Sequence, residues 1–171
     1  MSLSLVILAA VTLQRMGELL LARRNTRRLK ARGAYEVGAA HYPLIVALHA
    51  AWLISLWGLA WARPLNWAWL GVFVVLQLLR VWVIATLGPR WTTRIIVLPG
   101  APIVRRGPYR VLSHPNYAVV AAEIAVLPLA FGLMWVAFVF SLLNVLVLRV
   151  RIRAESRALR AAQAGNLTGG H

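Results

Sequence analysis

Between two long apolar stretches the chain carries Gly107-Pro-Tyr-Arg110, then Val-Leu-Ser113-His114-Pro115-Asn-Tyr117, where polar and ring side chains gather at fixed spacing. Pro115 suits the first turn of a helix, and Ser113 or His114 can cap it, so free backbone amides are expected at that end. Such an end attracts carboxylate or phosphate. Arg105, Arg106 and Arg110 lie just before it and add positive charge. A small anionic or zwitterionic ligand fits this corner; the plainer alternative is interfacial anchoring, with tyrosines at headgroup level and arginines on lipid phosphate.

The four acidic residues are all glutamates, and two of them follow this run. Glu155 shares a helical face with Arg151, four residues earlier. It can accept hydrogen bonds from an amine or from ribose hydroxyls, or serve only as half of a surface ion pair. Glu123 falls about two turns into an apolar stretch, where an ionisable side chain is costly and is read as functional, with a partner. Arg80 and Asn144 are the expected partners, and a structural link between helices is the competing reading. Arg15 and Glu18, three apart, are expected to pair with each other. His41 and His49 share a helical face but have no carboxylate or cysteine at ligand spacing, so no metal site is expected.

The elements that must position these residues are membrane helices. Of 171 residues 61% are hydrophobic and 13% charged, with no cysteine, and the mean hydropathy is +0.72. This composition lies outside the soluble globular range and excludes disulfides and thiolate chemistry. The apolar stretches predict an all-α integral membrane protein with five spans, at about 3–22, 42–62, 67–87, 117–130 and 133–148. The last two form a short hairpin turning at Gly132, because the stretch from Tyr117 to Leu148 is too long for one crossing and carries Pro128 near its middle. Residues 1–164 form one domain; an Ala-, Leu- and Arg-rich cytoplasmic helix is expected to continue the fifth span until Gly165, followed by a disordered tail over 165–171.

Lys and Arg number six from Arg23 to Arg32, five from Arg90 to Arg110 and five from Arg149 to Arg160. With five spans these clusters share one side, which the positive-inside rule makes cytoplasmic, with the N-terminus outside. Trp57, Trp61, Trp67, Trp69 and Trp135 then belong to an aromatic belt at the outer interface. The net charge of +15 is therefore a matter of topology, and no nucleic-acid partner is expected. The N-terminal stretch lacks a basic n-region and a cleavage site and reads as a retained helix.

Ile103-Val-Arg-Arg-Gly107-Pro108-Tyr109-Arg110, then His114-Pro115-x-Tyr117, a helical hairpin, and Arg151-Ile152-x-x-Glu155-x-x-x-Leu159 resembles the isoprenylcysteine carboxyl methyltransferase family and its phospholipid methyltransferase relatives. The first half, with Gly33 to His49, is similar to a small bacterial branch, some members of which are linked to methylating long-chain alkylpyrones or alkylresorcinols. The resemblance implies an enzyme of the bacterial plasma membrane that uses S-adenosylmethionine, releases S-adenosylhomocysteine, and takes a lipophilic acceptor from the bilayer. Carried over by position, Tyr109, Arg110, His114, Pro115 and Tyr117 would line the cofactor pocket, with Ile103 and Val104 beside the adenine. Glu155 would hold the cofactor's polar end, and Arg151 would lie close to the transferring methyl. Two departures stand out: Ser113 precedes the His-Pro pair where the family often has Arg, and Glu155-Ser156 replaces two successive acids.

A carboxylate acceptor needs only an arginine to orient it, which is Arg151's expected part. A phenol or enol must lose a proton, and Glu123 is the expected base. The rival readings are a membrane reductase holding a nicotinamide cofactor and a non-catalytic lipid-binding protein. Acceptor headgroup and oligomeric state stay open at the level of sequence.

Overall fold

A computed structural model describes the backbone of residues 2–168 and the side chains of residues 2–160. Five α-helices dominate: α1 Leu3–Lys30, α2 Tyr42–Ala60, α3 Trp67–Leu87, α4 Pro115–Ala130 and α5 Met134–Thr168. Four of them are long and apolar enough to cross a membrane, whereas α4 has 16 residues, about 24 Å of helix against a hydrocarbon core of about 30 Å. Large apolar side chains such as Leu20, Ile54, Leu78 and Phe138 are exposed around the bundle. That outward-facing apolar surface is the mark of an integral membrane protein.

Side-chain caps and turn residues set the helix limits. Ser2 accepts from the Leu5 amide at the start of α1, and Asn66 Oδ1 accepts from the Ala68 and Trp69 amides at the start of α3. The α4–α5 turn forms where Gly132 takes φ +68°, a conformation open to glycine without strain. Past it, the Leu133 amide donates to the Pro128 carbonyl at 2.9 Å. The Asn66 amide donates to the Ala130 carbonyl, and the Ser2 and Ser4 hydroxyls donate to the Trp61 and Arg63 carbonyls. The N-terminus, the α2–α3 loop and the α4–α5 turn thus share one end, and the three basic clusters lie at the other.

At the basic end the structure departs from an all-α chain. Strand β1, Tyr35–Val37, pairs antiparallel with β2, Ile95–Val97, with Glu36 opposite Ile96. The β-branched run Ile95-Ile-Val satisfies its backbone against a loop from across the bundle. Glu36 accepts from Lys30 Nζ at 2.9 Å and from Arg94, linking both strands to the end of α1. Burial alone would raise the Glu36 carboxyl, but these two hydrogen-bonded cations outweigh it and hold it below the usual range.

Two helix ends also differ from expectation. α1 continues from Ala22 to Lys30, because hydropathy marks where lipid ends and Arg and Lys remain good helix formers. α5 runs as one rod from membrane to basic end and passes Gly165 to reach Thr168. Residues 169–171, within the tail expected to be disordered, lie outside the described residues.

The core is a packed apolar column in which Trp52, Leu56, Ile124, Leu127 and Phe131 are almost fully buried. Above it, two carboxylates and two guanidinium groups interlock. Arg80 donates through Nε and Nη2 to both oxygens of Glu18 and through Nη1 to Glu123 at 2.8 Å. Arg15 donates to Glu18 at 3.0 Å and to Glu123 at 2.9 Å. Gln77 donates to the second Glu123 oxygen at 2.8 Å. The charges cancel within the quartet, which answers the cost of burying them and ties α1, α3 and α4 together.

Candidate active site

One cavity of about 1090 Å³ occupies the basic end and runs alongside α1 and α2 as far as Thr12 and Leu53. All five helices and the β2 segment contribute to its wall. Its polar part is built where the start of α4 meets α5. His114 Nδ1 lies 3.5 Å from Glu155 Oε2, and the Ser156 hydroxyl lies 3.4 Å from His114 Nε2. The His114 ring stacks on Tyr117 with centroids 5.6 Å apart. Contact with the Glu155 carboxylate raises the His114 pKa above its ordinary value, against an opposing effect of burial. Burial, helped by the Glu155 charge, raises the Tyr109 phenol, which stays neutral.

Arg151 is buried on the same face of α5 one turn earlier. Its Nη2 donates to the Thr93 carbonyl at 2.8 Å, and its guanidinium lies 5.9 Å from the centre of the Tyr117 ring. Thr93 in turn meets the Tyr42 hydroxyl at 3.2 Å, and Arg94 lies over the Tyr42 ring at 4.0 Å. The β2 segment therefore serves as the clamp that orients Arg151.

The 3₁₀ turn Gly107–Arg110 carries Tyr109 and Arg110 to the wall. Gly107 is required there: it takes φ +53°, and a Cβ would stand 2.8 Å from Thr86 Oγ1.

Of the residues singled out from sequence, Ile103, Val104, Tyr109, Arg110, His114, Tyr117, Arg151 and Glu155 all line this cavity. Two do not. Pro115 is buried at the first turn of α4 and faces a small apolar groove with Leu76 and Leu79 instead. Glu123 points into the ion quartet, with both oxygens engaged. Arg80 is its partner as expected, while Asn144 is buried without a hydrogen-bond partner among the described residues. Arg15 and Glu18 pair as expected, but as part of the larger quartet. Neither Ser113 nor His114 caps α4 through its side chain; His114 is the cap residue by backbone alone, leaving its ring free for Glu155. Thr93 and His49 also line the cavity. The i, i+4 spacing of His49 to Ile45 was the only sequence signal for the latter's local contact.

The order of these elements along the chain is matched by a family model, that of the isoprenylcysteine carboxyl methyltransferase (ICMT) family, over residues 69–161. The chain belongs to this family. ICMT-family proteins are membrane methyltransferases whose members use S-adenosylmethionine as methyl donor. The matched segment runs from α3 into α5 and includes every cavity residue from Arg90 to Arg160, whereas α1 and α2 lie outside it. The uncharacterized protein YpbQ of Bacillus subtilis (strain 168) is 40% identical over 161 residues, covering 91% of this chain and 95% of its own length. No solved structure matches the chain.

Proposed function

We propose that this ICMT-family protein transfers a methyl group from S-adenosylmethionine to an oxygen of a lipophilic acceptor. One observation carries the reading: a single cavity joins a polar corner holding an unsatisfied carboxylate oxygen to an apolar wall on α1 and α2. Glu155 Oε2 is buried with His114 Nδ1 3.5 Å away but no hydrogen bond of good geometry among the described residues, and an ammonium or hydroxyl donor would complete it. At about 1090 Å³ the space lies at the upper end of ligand cavities, roughly 300–1,000 Å³, and suits a cofactor beside part of an acceptor.

The residues fit the cofactor. Glu155 would bind its polar end, with Tyr109, Arg110, His114 and Tyr117 around it and Ile103 and Val104 against the adenine. Bound there, S-adenosylmethionine supplies an electrophilic methyl on a sulfonium. Arg151, fixed by the Thr93 carbonyl, orients the acceptor oxygen for in-line attack, and the buried walls exclude water. Met16, Val46 and Ala50 are exposed and line the same cavity, so an acyl or alkyl chain enters between α1 and α2. The acceptor oxygen belongs to a carboxylate, phenol or enol, the last two in keeping with the alkylpyrone and alkylresorcinol branch. Glu123, its oxygens saturated, holds the frame and is not the base.

The arrangement in the membrane follows from charge. Five crossings, with α4 short and inside the bundle's packing, leave the basic clusters, the C-terminal helix and the cavity mouth cytoplasmic and the N-terminus outside, in a bacterial plasma membrane. Thermal unfolding in detergent tests the cofactor. S-adenosylhomocysteine is expected to raise the melting temperature, and NADPH is not. The reverse pattern would replace methyl transfer by reduction, and no shift with either would favour a lipid-binding role.

A further inference from the structure

Resting on the methyl-transfer reading above, we infer that His49 is a catalytic residue: its Nε2 takes the proton from a hydroxyl acceptor as that oxygen is methylated. His49 lies on α2, two turns from the helix start at Tyr42 and about 10 Å along the axis from it. The ring is part of the cavity wall. Nδ1 lies 2.8 Å from the Ile45 carbonyl oxygen. A carbonyl only accepts, so Nδ1 carries the hydrogen and Nε2 presents a bare lone pair. Nε2 has no hydrogen-bond partner among the described residues and is not fully buried.

Of the other basic groups of the cavity, Glu155 is assigned above to the cofactor's polar end, and Glu18 and His114 are engaged within the protein. Glu18 receives hydrogen bonds from Arg80, Arg15 and Gln14. His114 has Glu155 at one ring nitrogen and Ser156 at the other. The charged groups that share the wall with His49 are Arg15 and Glu18 from α1, Arg80 from α3, Arg151, Glu155 and Arg160 from α5, and Arg90, Arg94, Arg105 and Arg110 from the segment between α3 and α4. His49 thus stands among fixed cations on the α1–α2 side, where a lipophilic acceptor enters, and of the two imidazoles that line the cavity it is the one with an open lone pair among the described residues.

The step balances. The O–H proton passes to Nε2, the oxygen's electron pair forms the new C–O bond, and the C–S bond breaks with its pair left on sulfur as a neutral thioether. The imidazolium then loses its proton to water through the cavity mouth. Arg151 steers the oxygen; His49 makes it nucleophilic.

His49→Asn and His49→Gln each replace the imidazole by a non-basic amide, the shorter one keeping a donor near the Ile45 carbonyl. The probes are a resorcinol and a 4-nitrophenol, each bearing a dodecyl chain, and S-adenosylhomocysteine. Both variants are expected to bind S-adenosylhomocysteine within about twofold of wild type, while single-turnover methylation of the alkylresorcinol falls about 10²–10⁴-fold. The wild-type rate declines as pH drops through one ionisation, and the variants lose that limb. With S-adenosylhomocysteine present, the bound nitrophenol's phenolate absorbance needs a higher pH in both variants. Wild-type rates and unchanged phenolate titration in both variants would overturn the assignment, as would a wild type that methylates dodecanoate but neither phenol. Failure of the wild type to bind S-adenosylhomocysteine would instead overturn the methyl-transfer reading itself.

Discussion

Glu155 Oε2 stands 3.5 Å from His114 Nδ1, so a carboxylate on α5 and an imidazole at the start of α4 face each other across the cavity's polar corner. The helical hairpin between them closes this contact, and Glu155 keeps capacity to bind a further donor.

Glu155→Gln is expected to weaken S-adenosylhomocysteine binding roughly 10- to 100-fold. A hydrogen bond to a charged group is worth about 1.5–3 kcal/mol, and each 1.4 kcal/mol is about tenfold in affinity. Calorimetric titration in detergent checks this, and equal affinities would remove Glu155 from the cofactor site.

The same pair makes stability depend on pH. Because the folded protein raises the His114 pKa, with Glu155 contact as the main cause, its stabilising effect is fully present below the unfolded value of about 6.5. It is lost as pH rises through the raised folded value. The melting-temperature difference between wild type and His114→Ala should therefore shrink across that window. A difference independent of pH would mean the ring acts by packing alone.

Glu36 behaves in the opposite sense. Its carboxyl is held low by Lys30 and Arg94 against the effect of burial, so its contribution is present above the unfolded value. It disappears as pH falls through the lowered one. Amide exchange at Ile95 and Val97, corrected for intrinsic rate, is expected to quicken there in wild type and to be fast at all pH values in Glu36→Gln.

For Glu123 the expected loss is one of stability. Glu123→Ala leaves Arg15 and Arg80 with one carboxylate between them, and breaking a buried pair costs about 3–5 kcal/mol. Thermal unfolding should show a large drop, while S-adenosylhomocysteine affinity at low temperature stays near wild type. A stable variant with lost turnover would return Glu123 to the chemistry.

Arg151→Lys preserves charge but not the planar fork that engages Thr93 and whose other donors the proposed function assigns to the acceptor. Methylation is expected to fall about 10²-fold with S-adenosylhomocysteine affinity little changed, measured by single-turnover assay and titration. A parallel loss of both would shift Arg151 to a cofactor role.

Much of this design is legible in the chain because its signals are local. Asn66 caps α3 and Gly88 follows its end, so those limits coincide with the apolar run; Pro128 and Gly132 announce the hairpin in the same way. What escaped was long-range pairing. Tyr35-Glu-Val and Ile95-Ile-Val are three residues each, too short to register alone, and they find each other across two helices. Arg15–Glu18 and Arg80–Glu123 were visible as separate pairs, but their fusion depends on how α1, α3 and α4 pack. In the sequence His49 is weighed only for metal binding, with no metal site expected, since nothing in its spacing tells which ring nitrogen the helix will occupy.

Arg151 and Glu155 sit on one unbroken helix, one turn and about 6 Å of rise apart. The distance between the proposed grip on the donor's polar end and the proposed grip on the acceptor oxygen is then a pitch, set by backbone hydrogen bonding within α5. Loop motions at the mouth can admit or release ligands without stretching that ruler, and a one-residue insertion between the two would swing one grip by about 100° away from the other.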